Sequence, residues 1–126
     1  MVRVAIVEDE ASNARAVARL LRASGMEPST FSSAEEFLER ADTSVIDCLV
    51  LDIQLGGMSG FDLQSRLAVM HPQLPVIFLS AHQDTETVAR AMQTGCDYVR
   101  KYEPGRILVG TILRSIRSGP GFPKGQ

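Results

Sequence analysis

Apolar positions fall into short unbroken runs separated by stretches of longer period. Val2 to Val7, Asp47 to Leu51, Val76 to Leu79 and the brief Tyr98-Val99 read as strands, and Pro28 to Phe31 is a weaker fifth. The first three are apolar nearly throughout, the pattern of strands covered on both faces of a parallel sheet. Between them apolar residues recur at helical spacing: Ala14, Val17, Ala18 and Leu21; Ala34, Phe37, Leu38 and Ala41; Leu63, Leu67 and Met70; Val88, Ala91 and Met92; and Val109, Ile112, Leu113 and Ile116. Ser33 with Glu36 and Ser59 with Asp62 mark helix starts, and Gly95 marks a stop. The expected order is βαβαβαβαβα.

Strict alternation with right-handed crossovers implies an α/β fold, a doubly wound five-stranded parallel sheet with helices on both faces. A flavodoxin-like strand order, 2-1-3-4-5, would put the switch point between the first and third strands, with chemistry at the carboxyl ends there. At 126 residues there is room for one domain, assigned to 1–118, with the Gly/Pro-rich stretch 119–126 as a flexible tail or linker start.

Composition removes several function classes. Hydrophobic residues at 44% and charged residues at 22% give an ordinary globular balance. A net charge of -2 supplies no basic field, so nucleic-acid binding by this segment alone is not expected. The N-terminus has no signal-peptide core and no run approaches membrane-spanning length. Cys48 and Cys96 match no zinc spacing, and a reducing cytoplasm is the expected compartment.

Four of the strands are followed by chemically useful residues: Glu8-Asp9-Glu10, Asp52, Ser80 and Lys101. Singly these are ordinary, since acidic residues before a helix often only cap it and a lysine is usually solvated. Jointly they converge on one sheet edge. Carboxylates brought together from neighbouring strands repel unless compensated, and Mg²⁺ is the economical partner. Ser80 and Lys101 would then hold a phosphoryl oxygen opposite the metal.

The segment Leu51-Asp-Ile-Gln-Leu-Gly-Gly-Met-Ser-Gly-Phe-Asp-Leu63 resembles the phosphoacceptor segment of response regulator receiver domains, and Phe78-Leu-Ser-Ala-His82 resembles their fourth strand and switch residue. The resemblance covers residues 2 to 117. It implies Asp52 as phosphoacceptor, and Mg²⁺ held by Glu8, Asp9, Asp52 and the Gln54 backbone carbonyl. It further implies Ser80 as switch hydroxyl, Lys101 as phosphoryl contact and Tyr98 as switch aromatic, with Gln54 and His82 setting the phosphoryl lifetime. The implied donor is a histidine kinase or histidine phosphotransfer protein. The output would be a partner or homodimer contact through the fourth helix, fifth strand and fifth helix, a phosphoacceptor switch with at most slow self-catalysed phosphorylation and dephosphorylation and not an enzyme.

Three features depart from that family. The Gly95 to Lys101 interval is one residue short, Gly56 stands where proline is frequent, and Tyr102 replaces the proline after the lysine. A cis Lys101-Tyr102 bond would cost about 2.5–4 kcal/mol, so a trans bond is expected. The shortened interval and the missing proline leave, as the alternative, a receiver-fold interaction module that takes no phosphate. An aspartyl phosphatase would want an acid where Gln54 stands, and a flavin binder would not place Glu8-Asp9-Glu10 at its phosphate loop.

Overall fold

The computed structural model describes residues 1–118; the tail proposed at 119–126 lies outside them. The elements run β1 (Arg3–Val7), α1 (Ala11–Ala23), β2 (Glu27–Phe31), α2 (Ala34–Arg40), a 3-10 turn (Thr43–Val45), β3 (Cys48–Leu51), α3 (Gly60–Met70), β4 (Val76–Ser80), α4 (Thr85–Gln93), β5 (Asp97–Arg100) and α5 (Gly105–Ser118). The five strands are parallel in the order β2-β1-β3-β4-β5, as expected.

The unbroken apolar runs are explained by the two-sided core. Along β1, β3 and β4, side chains alternate between two clusters. Ala5, Val7, Leu49, Leu51, Val76 and Phe78 meet Ala34 and Phe37 of α2, Phe61, Leu63 and Leu67 of α3, and Ala91 of α4. Val4, Ile6, Cys48, Val50, Ile77 and Leu79 meet Ala18 and Leu21 of α1 and Leu108 and Ile112 of α5. Each central strand is therefore apolar at nearly every position, the exceptions being the exposed Arg3 that opens β1 and the buried Ser80 that closes β4, whereas β2 is an edge strand with exposed residues.

The helix-start signals operate as expected. Ser33 accepts the Glu36 N–H at 3.0 Å and Ser59 accepts the Asp62 N–H at 3.1 Å. Glu36 reaches back to the Ser32 N–H at 2.9 Å, one residue earlier than a capping box requires. Gly95, at φ +77°, follows α4 in the left-handed region that favours glycine. The helical faces are narrower than the periodicity suggests. Met70, Met92 and Leu113 are exposed, because Met70 is the last residue of α3 and the other two lie one position past the buried Ala91 and Ile112. Among the described residues no helix is long and apolar enough to cross a membrane.

The shortened segment before Lys101 leaves the β5 register intact: Tyr98 pairs with Phe78 and Arg100 with Ser80, and the Lys101 N–H donates to the Ser80 carbonyl at 2.9 Å. No peptide bond of the described residues is cis, including Lys101–Tyr102. Instead the chain turns at Tyr102, which adopts φ +69° with its side chain in solvent.

Candidate functional site

The carboxyl ends of β1, β3, β4 and β5 bring the expected groups to one edge. Glu8 and Asp52 are buried at 5% and 8% exposure, Ser80 is fully buried, and Asp9 faces solvent. One carboxylate oxygen from each of Glu8, Asp9 and Asp52 lies within 4.8 Å of the other two. An all-carboxylate set of hard oxygen donors, open on the Asp9 side, has the chemistry of a divalent-cation site.

Lys101 occupies a different position from the one its strand-end placement suggests. Its ammonium bridges the two buried carboxylates, donating to Glu8 Oε1 at 2.5 Å and to Asp52 Oδ2 at 3.2 Å. One cation thus serves two carboxylates, leaving a net negative charge in a poorly solvated place. Burial, and next the adjoining Glu8, push the Asp52 carboxyl up to about 7. Burial also disfavours the Glu8 carboxylate, but the bonds from Lys101 and Asp52 and the Glu10 N–H outweigh it and hold Glu8 below its usual range. Burial opposes the charge on Lys101, and its bonds to Glu8 and Asp52 more than offset this, raising it. Asp52 is thereby pushed toward the protonated form and Glu8 toward the charged one.

The loop from Asp52 to Gly60 is stitched at every second residue. The Gln54 N–H donates to Asp52 Oδ1 at 3.4 Å, the Gly56 N–H to Asp9 Oδ2 at 3.2 Å, the Met58 N–H to Glu35 Oε2 at 3.1 Å and the Gly60 N–H to the Ile53 carbonyl at 2.8 Å. Gly60 allows α3 to begin against the end of β3, since a Cβ there would stand 2.2 Å from the Asp52 carbonyl oxygen and 2.8 Å from Ile53 Cα.

His82 joins the two residues assigned to switching through its backbone. Its N–H donates to Ser80 Oγ at 3.0 Å, and its carbonyl accepts the Tyr98 hydroxyl. Tyr98 is half-buried and packs on the core cluster that includes Phe78. It is therefore already turned in and fixed to the β4–α4 turn, where the sequence suggested a ring that moves inward only after Ser80 does.

Glu35 was missed by sequence reasoning. The signal was present in Ser33-Ala-Glu-Glu36, where helix capping needs only the second glutamate.

A sequence model of the family described as "Response regulator receiver domain" matches residues 4–111. Over 99 residues the chain is 40% identical to Nodulation protein W of Bradyrhizobium diazoefficiens, covering 78% of this chain and 44% of that protein. Over 116 residues it is 34% identical to Response regulator protein TmoT of Ectopseudomonas mendocina, covering 91% and 53%. The structure of a response regulator receiver domain protein from Clostridium thermocellum aligns with a TM-score of 0.84 at 27% identity, covering 93% of this chain and 95% of that one. The chain spans about half the length of the curated relatives it matches.

Proposed function

The chain belongs to the response regulator receiver domain family, and from that premise we propose that Asp52 is the residue that accepts the phosphoryl group. As a receiver domain of two-component signal transduction it is a phosphoacceptor switch and not a turnover enzyme. The observation that carries the assignment is the clustering of Glu8, Asp9 and Asp52 within 4.8 Å beside the Lys101 ammonium.

Glu8, Asp9, Asp52 and the Gln54 carbonyl are the groups that would hold Mg²⁺, which when bound supplies charge neutralisation for the carboxylate and the incoming phosphoryl oxygens. An Asp52 oxygen attacks phosphorus in line. A P–O bond to Asp52 forms as the P–N bond of a donor phosphohistidine breaks, and the released imidazole takes up a proton. Lys101, which bridges Glu8 and Asp52, moves its ammonium onto a phosphoryl oxygen as the added charge arrives, and the buried Ser80 hydroxyl, which accepts the His82 N–H, swings away from it to donate its O–H to a second phosphoryl oxygen. That exchange loosens the β4–α4 turn, and because Tyr98 is bonded to the same residue, the change reaches the α4, β5 and α5 face. Gln54 and His82 flank the acyl phosphate and govern access of water to it.

The donor is a histidine kinase or histidine phosphotransfer protein of a phosphorelay in the cytoplasm, and the output is a downstream protein or a second copy docking on the α4, β5 and α5 face. Intact-mass analysis with acetyl phosphate tests this reading. One phosphoryl group should be gained with Mg²⁺ present and none with excess chelator; labelling indifferent to the cation would contradict it.

A further inference from the structure

The loop that would carry the Gln54 carbonyl to the cation is held by three carboxylates, of which only two belong to the cation cluster. Asp52 and Asp9 take the N–H groups of Gln54 and Gly56, and Glu35, from the first turn of α2, takes that of Met58. Gly57 is shaped to this contact. It has φ +78°, and a Cβ there would come 2.6 Å from Glu35 Oε2, so only glycine lets the carboxylate approach the turn. Glu35 is exposed and makes no ion pair within 4 Å among the described residues. The Met58 N–H is the principal influence holding its carboxyl below the usual range.

Asp9 Oδ2 accepts the Gly56 N–H, so drawing this carboxylate toward a cation through either oxygen weakens that hold on the loop at the moment the loop must present Gln54. Glu35 lies outside the cation cluster, and besides Met58 its carboxylate meets its own backbone N–H and the charge of Arg66. We propose that Glu35 is a positioning residue for the cation site, anchoring the turn through Met58 so that Asp9 can leave Gly56 without releasing the 54–58 segment. This rests on the Mg²⁺ reading above.

The test is a Mg²⁺ titration followed by amide chemical shifts, with hydrogen exchange of the Met58 amide measured before metal is added. Four proteins are compared: wild type, Glu35→Ala, Glu35→Gln and the control Glu39→Ala. Glu35→Ala should bind Mg²⁺ roughly three- to tenfold more weakly, the range expected for one lost hydrogen bond. Its Met58 amide should exchange faster with an unchanged unfolding midpoint. Glu35→Gln keeps an acceptor oxygen and should stay within about twofold of wild type, and Glu39→Ala should match wild type. Wild type that fails to bind Mg²⁺ overturns the cation reading and this proposal with it. Wild-type binding with Glu35→Ala unchanged overturns this proposal alone. Equal losses in Glu35→Ala and Glu35→Gln would assign the effect to charge and also overturn it.

Discussion

The Lys101 ammonium donates to Glu8 at 2.5 Å across a sequence separation of 93 residues. Their strands are not neighbours, since β3 and β4 lie between β1 and β5. The bond therefore spans the carboxyl edge of the sheet and passes beside Asp52 of the intervening strand. Removing it should leave two buried carboxylates with no cation. Lys101→Ala should destabilise the metal-free protein by about 3–5 kcal/mol at neutral pH. Thermal unfolding with and without Mg²⁺ checks this: Mg²⁺ should raise the midpoint of the variant by more than that of wild type.

Asp52 gives a pH dependence of defined sign. Its carboxyl stands at about 7 in the folded protein against an ordinary 3.8, so between those values the native state holds a proton that the unfolded chain has released. Its contribution to stability consequently falls as pH rises from about 4 to about 7 and is level outside that window. Asp52→Asn removes the titration. Without divalent cations, the variant should be more stable than wild type by roughly 1–3 kcal/mol at pH 7.5, and the gap should shrink as pH is lowered to 5. A constant gap across that range would show that Asp52 is not the group carrying the proton.

Two glycine substitutions should act in opposite directions. At Gly60 an added methyl meets the Asp52 carbonyl oxygen at 2.2 Å, so Gly60→Ala must displace the start of α3 or Asp52 itself. A loss of about 3 kcal/mol is expected. Gly110 lies inside α5 with nothing within 4 Å, and Gly110→Ala should stabilise by about 0.5–1 kcal/mol through helix propensity alone. Chemical denaturation of the two variants measures both.

The fold was legible because three strands are apolar nearly throughout, the pattern of parallel strands buried on both faces. The strand order and the convergence of Glu8, Asp9, Asp52 and Lys101 on one edge followed from it. The bridging position of Lys101 was not legible: its strand-end location identifies the site but cannot say which carboxylate its long side chain selects. Glu35 was hidden for a related reason, since its partner is a backbone N–H 23 residues away that no spacing rule reports. The inward Tyr98 depends on the β4–α4 turn presenting the His82 carbonyl, which is a matter of loop geometry rather than residue type.

Tyr102 shows how the missing proline is accommodated. A non-glycine residue at φ +69° is strained by roughly 1–2 kcal/mol, and an exposed ring recovers little of that by burial. Tyr102→Gly should therefore raise stability by up to about 1 kcal/mol after the cost of a freer unfolded chain. A fall in the unfolding midpoint would show instead that the ring makes a contact that matters.

Phosphoryl transfer to Asp52 can be observed directly. Its most direct test is intact-mass analysis of wild type and Asp52→Asn after incubation with acetyl phosphate and Mg²⁺, with the modified site located by peptide mapping. The account predicts one added phosphoryl group in wild type, found at Asp52, and none in the variant. Equal labelling of the two proteins would contradict it, as would a wild type that binds Mg²⁺ yet takes no phosphate.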